Sequence, residues 1–211
     1  IDLLYLHRLD EVTPVEDSIG ELSRLVEEGK VRHLGLSEVT LEELCRANAV
    51  HAIAAVQSEY SLSTRGPDVE AMIDACAALG ALFVPFSPLG RGLLTAAYRS
   101  AEDFKGADFR TILPRFQPGA LEQNLSVVDR LAELASAKGC TVAQLALAWV
   151  LARGPHVVPI PGTRQLHRLA ENVGAVDLSL SADDLAAIER AAPADAIVGD
   201  RYPVSIPISK A

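Results

Sequence analysis

Long apolar runs, paired cysteines and clustered basic residues are all missing from this sequence, and each absence excludes a class of function. No stretch reaches the ~18 consecutive apolar residues of a membrane-spanning helix, and no basic, apolar and small-residue leader of a secretory signal is present. Lys and Arg number 19 against 28 Asp and Glu, for a net charge of −9 and an isoelectric point near 5.0. A chain this acidic has no broad basic face to release counterions from nucleic acid or an anionic membrane. Any phosphate must therefore be met at a local site. The three cysteines, Cys45, Cys76 and Cys140, are odd in number and have no C-x-x-C spacing. They read as core or surface thiols of a reducing compartment rather than as disulfide partners or zinc ligands. These features predict a cytoplasmic location, unless a preceding segment carries a targeting signal.

What is present suits one compact domain: 211 residues, 49% hydrophobic and 22% charged, too apolar for a disordered chain. Short apolar runs with little alternation occur at Ile1 to Leu6, Val31 to Leu36, Ala52 to Val56, Ala81 to Phe86 and Val157 to Ile160, as expected of parallel strands covered on both faces. Helical patterns lie between them. Thr13 as N-cap, Pro14 at the first helical position and Glu16 open one helix, which Gly29 ends. Thr40 with Glu43, Thr141 with Gln144, and Ser181 with Asp183 and Asp184 open others. Val69, Met72, Ile73, Cys76 and Leu79 form an apolar stripe ending at Gly80, and Leu125, Val128, Leu131 and Leu134 form another ending at Gly139.

Five strand-then-helix units, with no G-x-G-x-x-G after the first, favour a (β/α)8 barrel of the TIM type over a doubly wound sheet. The first strand runs into His7 with no neighbour before it. At about 31 residues per unit, a full barrel of ~250 residues needs roughly 90 to 100 more, so the chain is expected to supply strands four to eight. The whole of 1–211 is then a single partial barrel domain. Residues 89–119 hold no clear element and read as a long cofactor or substrate loop, and 197–211 as a C-terminal tail.

The C-terminal ends of barrel strands share one mouth, and polar residues collect there: His7; Ser37 and Glu38; Gln57, Glu59 and Tyr60; Ser87; Gly162, Thr163 and Arg164. Individually these residues are ordinary. His7 could cap a strand, Ser37 a helix, Gln57 could be a satisfied buried amide, and Arg164 with Arg168 a solvated helix face. Polar residues at five successive strand ends need partners, however, because unpaired polar groups there cost stability.

The segments Asp2 to Arg8, Val31 to Glu38, Val56-Gln57-Ser58-Glu59-Tyr60-Ser61-Leu62, Val84 to Thr95 and Pro159-Ile160-Pro161-Gly162-Thr163-Arg164 resemble, in order and spacing, the C-terminal part of the aldo-keto reductases. The similarity is to the bacterial and plant NADPH-dependent branch, with its pyridoxal-reductase-like and auxin-induced-protein-like members. The resemblance implies hydride transfer from NADP(H) to the carbonyl of an aldehyde or ketone, a small-molecule substrate. It casts His7 as the catalytic residue that orients and polarises the carbonyl, and Ser37, Glu38 and Gln57 as holding the nicotinamide carboxamide. Phe86 would stack on the ring, while Ser87, Leu89, Gly90, Arg91 and Gly92 wrap the pyrophosphate. Gly162, Thr163, Arg164 and Arg168 would meet the 2′-phosphate, and Glu171 and Asn172 the adenine.

Two positions depart from the pattern: some relatives carry Asn at the place of Glu38 and Lys at the place of Gly162, which leaves 2′-phosphate selectivity to Arg164 and Arg168. The family's proton-donor Tyr, its partner Asp and its Lys lie on segments before the fourth strand. None of Tyr5, Tyr60, Tyr98 or Tyr202, and none of the four lysines, stands where they belong. The resemblance therefore implies a carbonyl reductase, with a non-catalytic NADP(H)-binding sensor or regulatory subunit, or an inactive partial barrel, as the alternatives. Substrate and oligomeric state stay open.

Overall fold

The computed structural model describes residues 1–10, 12–104, 106 and 108–203. Strands β1 (Leu3–Leu6), β2 (His33–Ser37), β3 (Ile53–Glu59) and β4 (Leu82–Phe86) form a parallel sheet in sequential order. Helices α1 (Val15–Glu27), α2 (Leu41–Val50) and α3 (Pro67–Leu79) make the crossovers. An order that never reverses has no topological switch point, as in a barrel wall and unlike a doubly wound sheet. The register sets Leu4 against Leu34, Leu36 against Val56 and Val56 against Phe83. Leu34, Leu36, Val56 and Phe83 are fully buried, which is why these strands read as unbroken apolar runs.

The helix starts follow the capping chemistry of the sequence at three sites. The Thr40, Thr141 and Ser181 hydroxyls accept from the N–H groups of Glu43, Gln144 and Asp184, whose side chains accept in return from the caps. Thr13, expected to cap α1, does not. Its N–H instead donates to Asp10 Oδ1, as does that of Val12, so Pro14 becomes the cap residue and brings no side-chain acceptor. Helix α3 ends at Gly80 with φ +69, a left-handed turn that glycine adopts without steric cost.

The fifth expected strand is reduced to one bridge. Phe83 N–H donates to His156 O, and Phe83 O accepts from Val158 N–H, both at 2.9 Å, and Ile160 N–H reaches Pro85 O at 3.1 Å. The reciprocal donor would be residue 85, and Pro85 has no N–H. Residues 156–160 therefore lie along β4 with only the Phe83 to Val157 pairing intact. Pro159 and Pro161 have no N–H to offer at this edge, as is common where a sheet must not recruit another strand.

The segment 89–119, expected to lack structure, is built of short 3-10 turns at Gly90–Thr95, Ala101–Asp103, Phe109–Ile112 and Pro114–Phe116. Phe104 and Phe116 anchor it, edge to face at 5.3 Å. Helices α4 (Ala120–Ala137), α5 (Val142–Leu151), α6 (Leu166–Val173) and α7 (Ala182–Ala191) complete the chain. Trp149 of α5 stacks on Tyr60 at 5.2 Å and joins this helical layer to the sheet. Of the expected tail at 197–211, the part from 204 onward lies outside the described residues.

Candidate active site

The mouth of the sheet begins at His7, which is exposed just past β1. Arg8 fixes the backbone there: its Nη1 donates to His7 O at 2.5 Å and to Ser37 Oγ at 2.8 Å, so the ends of β1 and β2 are tied together. Tyr5 points from β1 toward Gln57. Burial pushes its phenol up, and a hydrogen bond with Gln57 partly offsets this. Gly35 is small because Tyr5 needs the room: a Cβ there would lie 2.6 Å from Tyr5 Cδ1 and Cε1.

Glu38 and Glu59 follow, and both are buried, at 2% and 3% exposure. Glu38 sits in the left-handed region at φ 52, which is uncommon for a side-chain-bearing residue. Its Oε1 accepts from Glu59 N–H at 2.8 Å, and its Oε2 from Arg201 Nη2 at 2.7 Å. Glu59 Oε2 receives Arg91 Nη2 at 3.0 Å and Arg201 Nε at 3.1 Å, while its Oε1 receives Thr64 Oγ1 at 2.9 Å. Arg115 donates to Thr64 Oγ1 at 2.6 Å and to Gly199 O at 3.1 Å. Burial pulls the Arg115 guanidinium below its ordinary value, opposed by Glu59.

On the other side of this cluster a groove of about 550 Å³ opens between β4 and α6. Phe86, Ser87, Leu89, Arg91 and Gly92 form one wall, and Gly162, Thr163, Arg164, Arg168, Glu171 and Asn172 the other. Eleven of the fifteen expected cofactor residues thus share one concavity, drawn from segments some eighty residues apart. Ser37 and Gln57 stand at the strand ends, and Gly90 lies buried behind the turn. A Cβ on Gly90, at φ +56, would meet Ser63 Oγ at 2.6 Å. Glu38 borders a separate cavity of about 460 Å³.

Tyr98 and Arg110 also line the groove and close over the turn. A Cβ on Gly92 would sit 2.8 Å from Tyr98 and 3.0 Å from Arg110 Nη1, and Arg110 donates to Arg91 O at 3.1 Å. Among the described residues no carboxylate pairs with Arg164 or Arg168, whereas Arg91 and Arg110 pair with Glu59 and Asp108. Two guanidiniums without a carboxylate partner thus line the groove beside the N-terminus of α6, with Glu171 on the same wall.

Sequence reasoning left Arg115, with Arg110, Phe109 and Phe116, between substrate and subunit contact, and it did not identify Arg8 or Arg201 as part of this mouth, because Ser37, Glu38 and Glu59 lie far from them along the chain. Arg201 directly before Tyr202 was the available signal, since Tyr202 lies under the Arg91 guanidinium at 4.3 Å. Tyr60 donates to Glu70 at 2.8 Å, and burial, then Glu70, push its phenol far above the ordinary value. Cys45 is exposed, Cys140 half-buried and Cys76 buried, its thiol pushed up to about 12 by that burial. Among the described residues no group of three His, Cys, Asp or Glu is assembled for a metal, and no single helix is long and apolar enough to cross a membrane.

A parallel sheet in sequential order thus carries a histidine, an amide and a guanidinium-lined groove at its strand ends. The chain belongs to the aldo/keto reductase family, whose model matches residues 1–193. It is 44% identical over 204 residues to the aldo-keto reductase str7 of Strobilurus tenacellus, covering 95% of this chain and 60% of that protein. The glycerol dehydrogenase AKR11B4 from Gluconobacter oxydans superposes with a TM-score of 0.84 at 28% identity, over 100% of this chain and 62% of that one. A thermostable aldo-keto reductase, Tm1743, solved with the inhibitor epalrestat, shares the fold at a TM-score of 0.68 and 23% identity, over 90% of this chain and 60% of its own. The chain thus spans about three-fifths of the length of these relatives.

Proposed function

We propose that the protein is an NADP(H)-dependent oxidoreductase of the NADPH-dependent branch resembled by its sequence, reducing small aldehydes or ketones to alcohols. The carrying observation is the groove, which unites a glycine-bearing left-handed turn, an aromatic wall at Phe86 and two guanidiniums without carboxylate partners among the described residues. That donor set fits a dinucleotide phosphate: planar guanidiniums donate two hydrogen bonds at once, and glycine allows close backbone approach. When bound, NADPH supplies the hydride.

In this reading β1 to β4 and residues 156–160 correspond to barrel strands four to eight. His7 donates to the substrate carbonyl oxygen and meets the charge that develops there. Arg8 holds His7 in place through its carbonyl. Ser37 Oγ accepts from Arg8, which leaves its O–H to donate to the nicotinamide carboxamide. Gln57, steadied by Tyr5, offers the complementary amide, and Phe86 keeps water from the ring. Ser87, Leu89 and the Gly90-Arg91-Gly92 turn hold the pyrophosphate. Thr163, Arg164 and Arg168 hold the 2′-phosphate beside Gly162, with Glu171 and Asn172 at the adenine.

The second reading is an NADP(H)-binding regulator without turnover, and the tyrosines described here, which are engaged in packing and ion-pair contacts, belong equally to either. Tyr60 is held by Glu70, Tyr98 packs at 5.0 Å on Phe104, and Tyr202 lies under Arg91. NADPH consumption with a panel of aldehydes and ketones separates the two. The groove assignment is tested by replacing Arg164 and Arg168 with alanine. NADPH affinity should fall at least tenfold, about 1.4 kcal/mol, while NADH affinity holds. Equal losses for both cofactors would refute the 2′-phosphate role.

A further inference from the structure

Glu38 and Arg91 are both held at left-handed φ, 52 and 57, and both side chains end on one node. Such conformations cost of order 1–3 kcal/mol each and persist only where the surroundings over-determine them. Here the surroundings are ionic. Arg201 forks between Glu38 Oε2 and Glu59 Oε2, at 2.7 and 3.1 Å. Arg91 completes the ring, donating to Glu59 at 3.0 Å and to Arg201 O at 2.9 Å. Tyr202 presents its face to Arg91 at 4.3 Å, and Asn124 pins the approach by bonding both Val198 N–H and Val198 O. The void left among these groups is about 10 Å³, room for one water at most.

We propose that Arg201 is a positioning residue through which the C-terminal segment sets the Gly90-Arg91-Gly92 turn, and with it the grip on the dinucleotide pyrophosphate, and that Glu38 serves this latch rather than the nicotinamide carboxamide. The inference rests on the NADP(H) reading above. A carboxylate suits the latch because both of its oxygens accept, one from Arg201 Nη2 and the other from Glu59 N–H, where a neutral amide offers one weaker acceptor.

The test is calorimetric binding to the full chain of two probes: NADPH, and 2′-phospho-ADP-ribose, which has the pyrophosphate and adenine half but no nicotinamide. Arg201→Met and Glu38→Gln should each weaken both probes alike, by about tenfold, within the usual range of coupling between linked groups. The double variant should bind no worse than either single one, and kcat at saturating NADPH should be retained while the KM for NADPH rises. Weakening of NADPH alone by Glu38→Gln would return Glu38 to the carboxamide and overturn the proposal, as would unchanged binding of both probes to a folded Arg201→Met. Should Arg201→Met fail to fold, Tyr202→Leu, which removes only the ring beneath Arg91, should weaken both probes about threefold, and no change would overturn the proposal. Wild-type protein that binds neither probe would overturn the cofactor reading and this inference with it.

Discussion

Replacing Gly35 by alanine forces a methyl group into the space occupied by the Tyr5 ring. The new Cβ would lie 2.6 Å from two ring carbons and 3.2 Å from Ala55 O, against an ordinary contact of about 3.5–4 Å. The ring must therefore move by about 1 Å, and it is rigid, so strands β1 and β2 must part or χ1 must leave its well. Overpacking of this kind costs ~1–3 kcal/mol, while a Gly→Ala change returns ~0.4–1 kcal/mol by restricting the unfolded chain. The clash wins, with a net loss of about 1–2 kcal/mol. For a domain of this size that lowers Tm by roughly 2–8 °C, readable by calorimetry. Because Tyr5 lies against Gln57 at the strand ends, NADPH binding should weaken as well. Tyr5→Leu removes the obstruction, so Gly35→Ala made in that background should be neutral or stabilising. A full loss of 1–2 kcal/mol in the double variant would refute the steric account.

Other perturbations read separate parts of the molecule. In the complete enzyme, His7→Ala should lower turnover by roughly 10²-fold or more, the scale for losing one oxyanion donor, with the Kd for NADPH within about twofold of wild type. Unchanged turnover would remove His7 from the chemistry. Asp184 is held down at about 2, by Lys138 first and then by the Ser181 cap. A depressed carboxyl contributes stability that is present above its unfolded value and lost as the pH falls toward the folded one. Asp184→Asn should therefore flatten the acid limb of stability between pH ~4 and ~2 in urea titrations and lower stability at neutral pH. An unaltered acid limb would show that the pair is not held in solution.

The strand-helix alternation was legible because each of β1 to β4 is a short, largely apolar run, half-buried in β1 and mostly buried in β2 to β4, and because Thr40, Thr141 and Ser181 each carry an acceptor-bearing residue three positions on. Those signals are local. The misreadings were decided by groups elsewhere: Asp10 took the amides that Thr13 was expected to govern, and Pro85 removed the donor that would have extended the fifth strand. The groove was legible through its family motifs, since Phe86 to Gly92 and Gly162 to Asn172 occupy short, ordered stretches. The ionic node was not, because Glu38, Glu59, Arg91, Arg115 and Arg201 share no spacing. A charged residue gives no sequence sign of whether it faces water or another charge.

The wide separation of the node's members has a kinetic consequence. Each strand pairs with the one made just before it, Leu3 facing His33, Leu34 facing Ile53 and Ala55 facing Leu82. The sheet can therefore grow in the order of synthesis through modest loop closures. Arg201 reaches Glu38 across 163 residues, and it leaves the ribosome only after every strand and helix described here. Until then two carboxylates wait at the strand ends without that guanidinium. These contacts are electrostatic and close after the sheet is assembled, so the Gly90-Arg91-Gly92 turn takes its final shape later than the strands it follows.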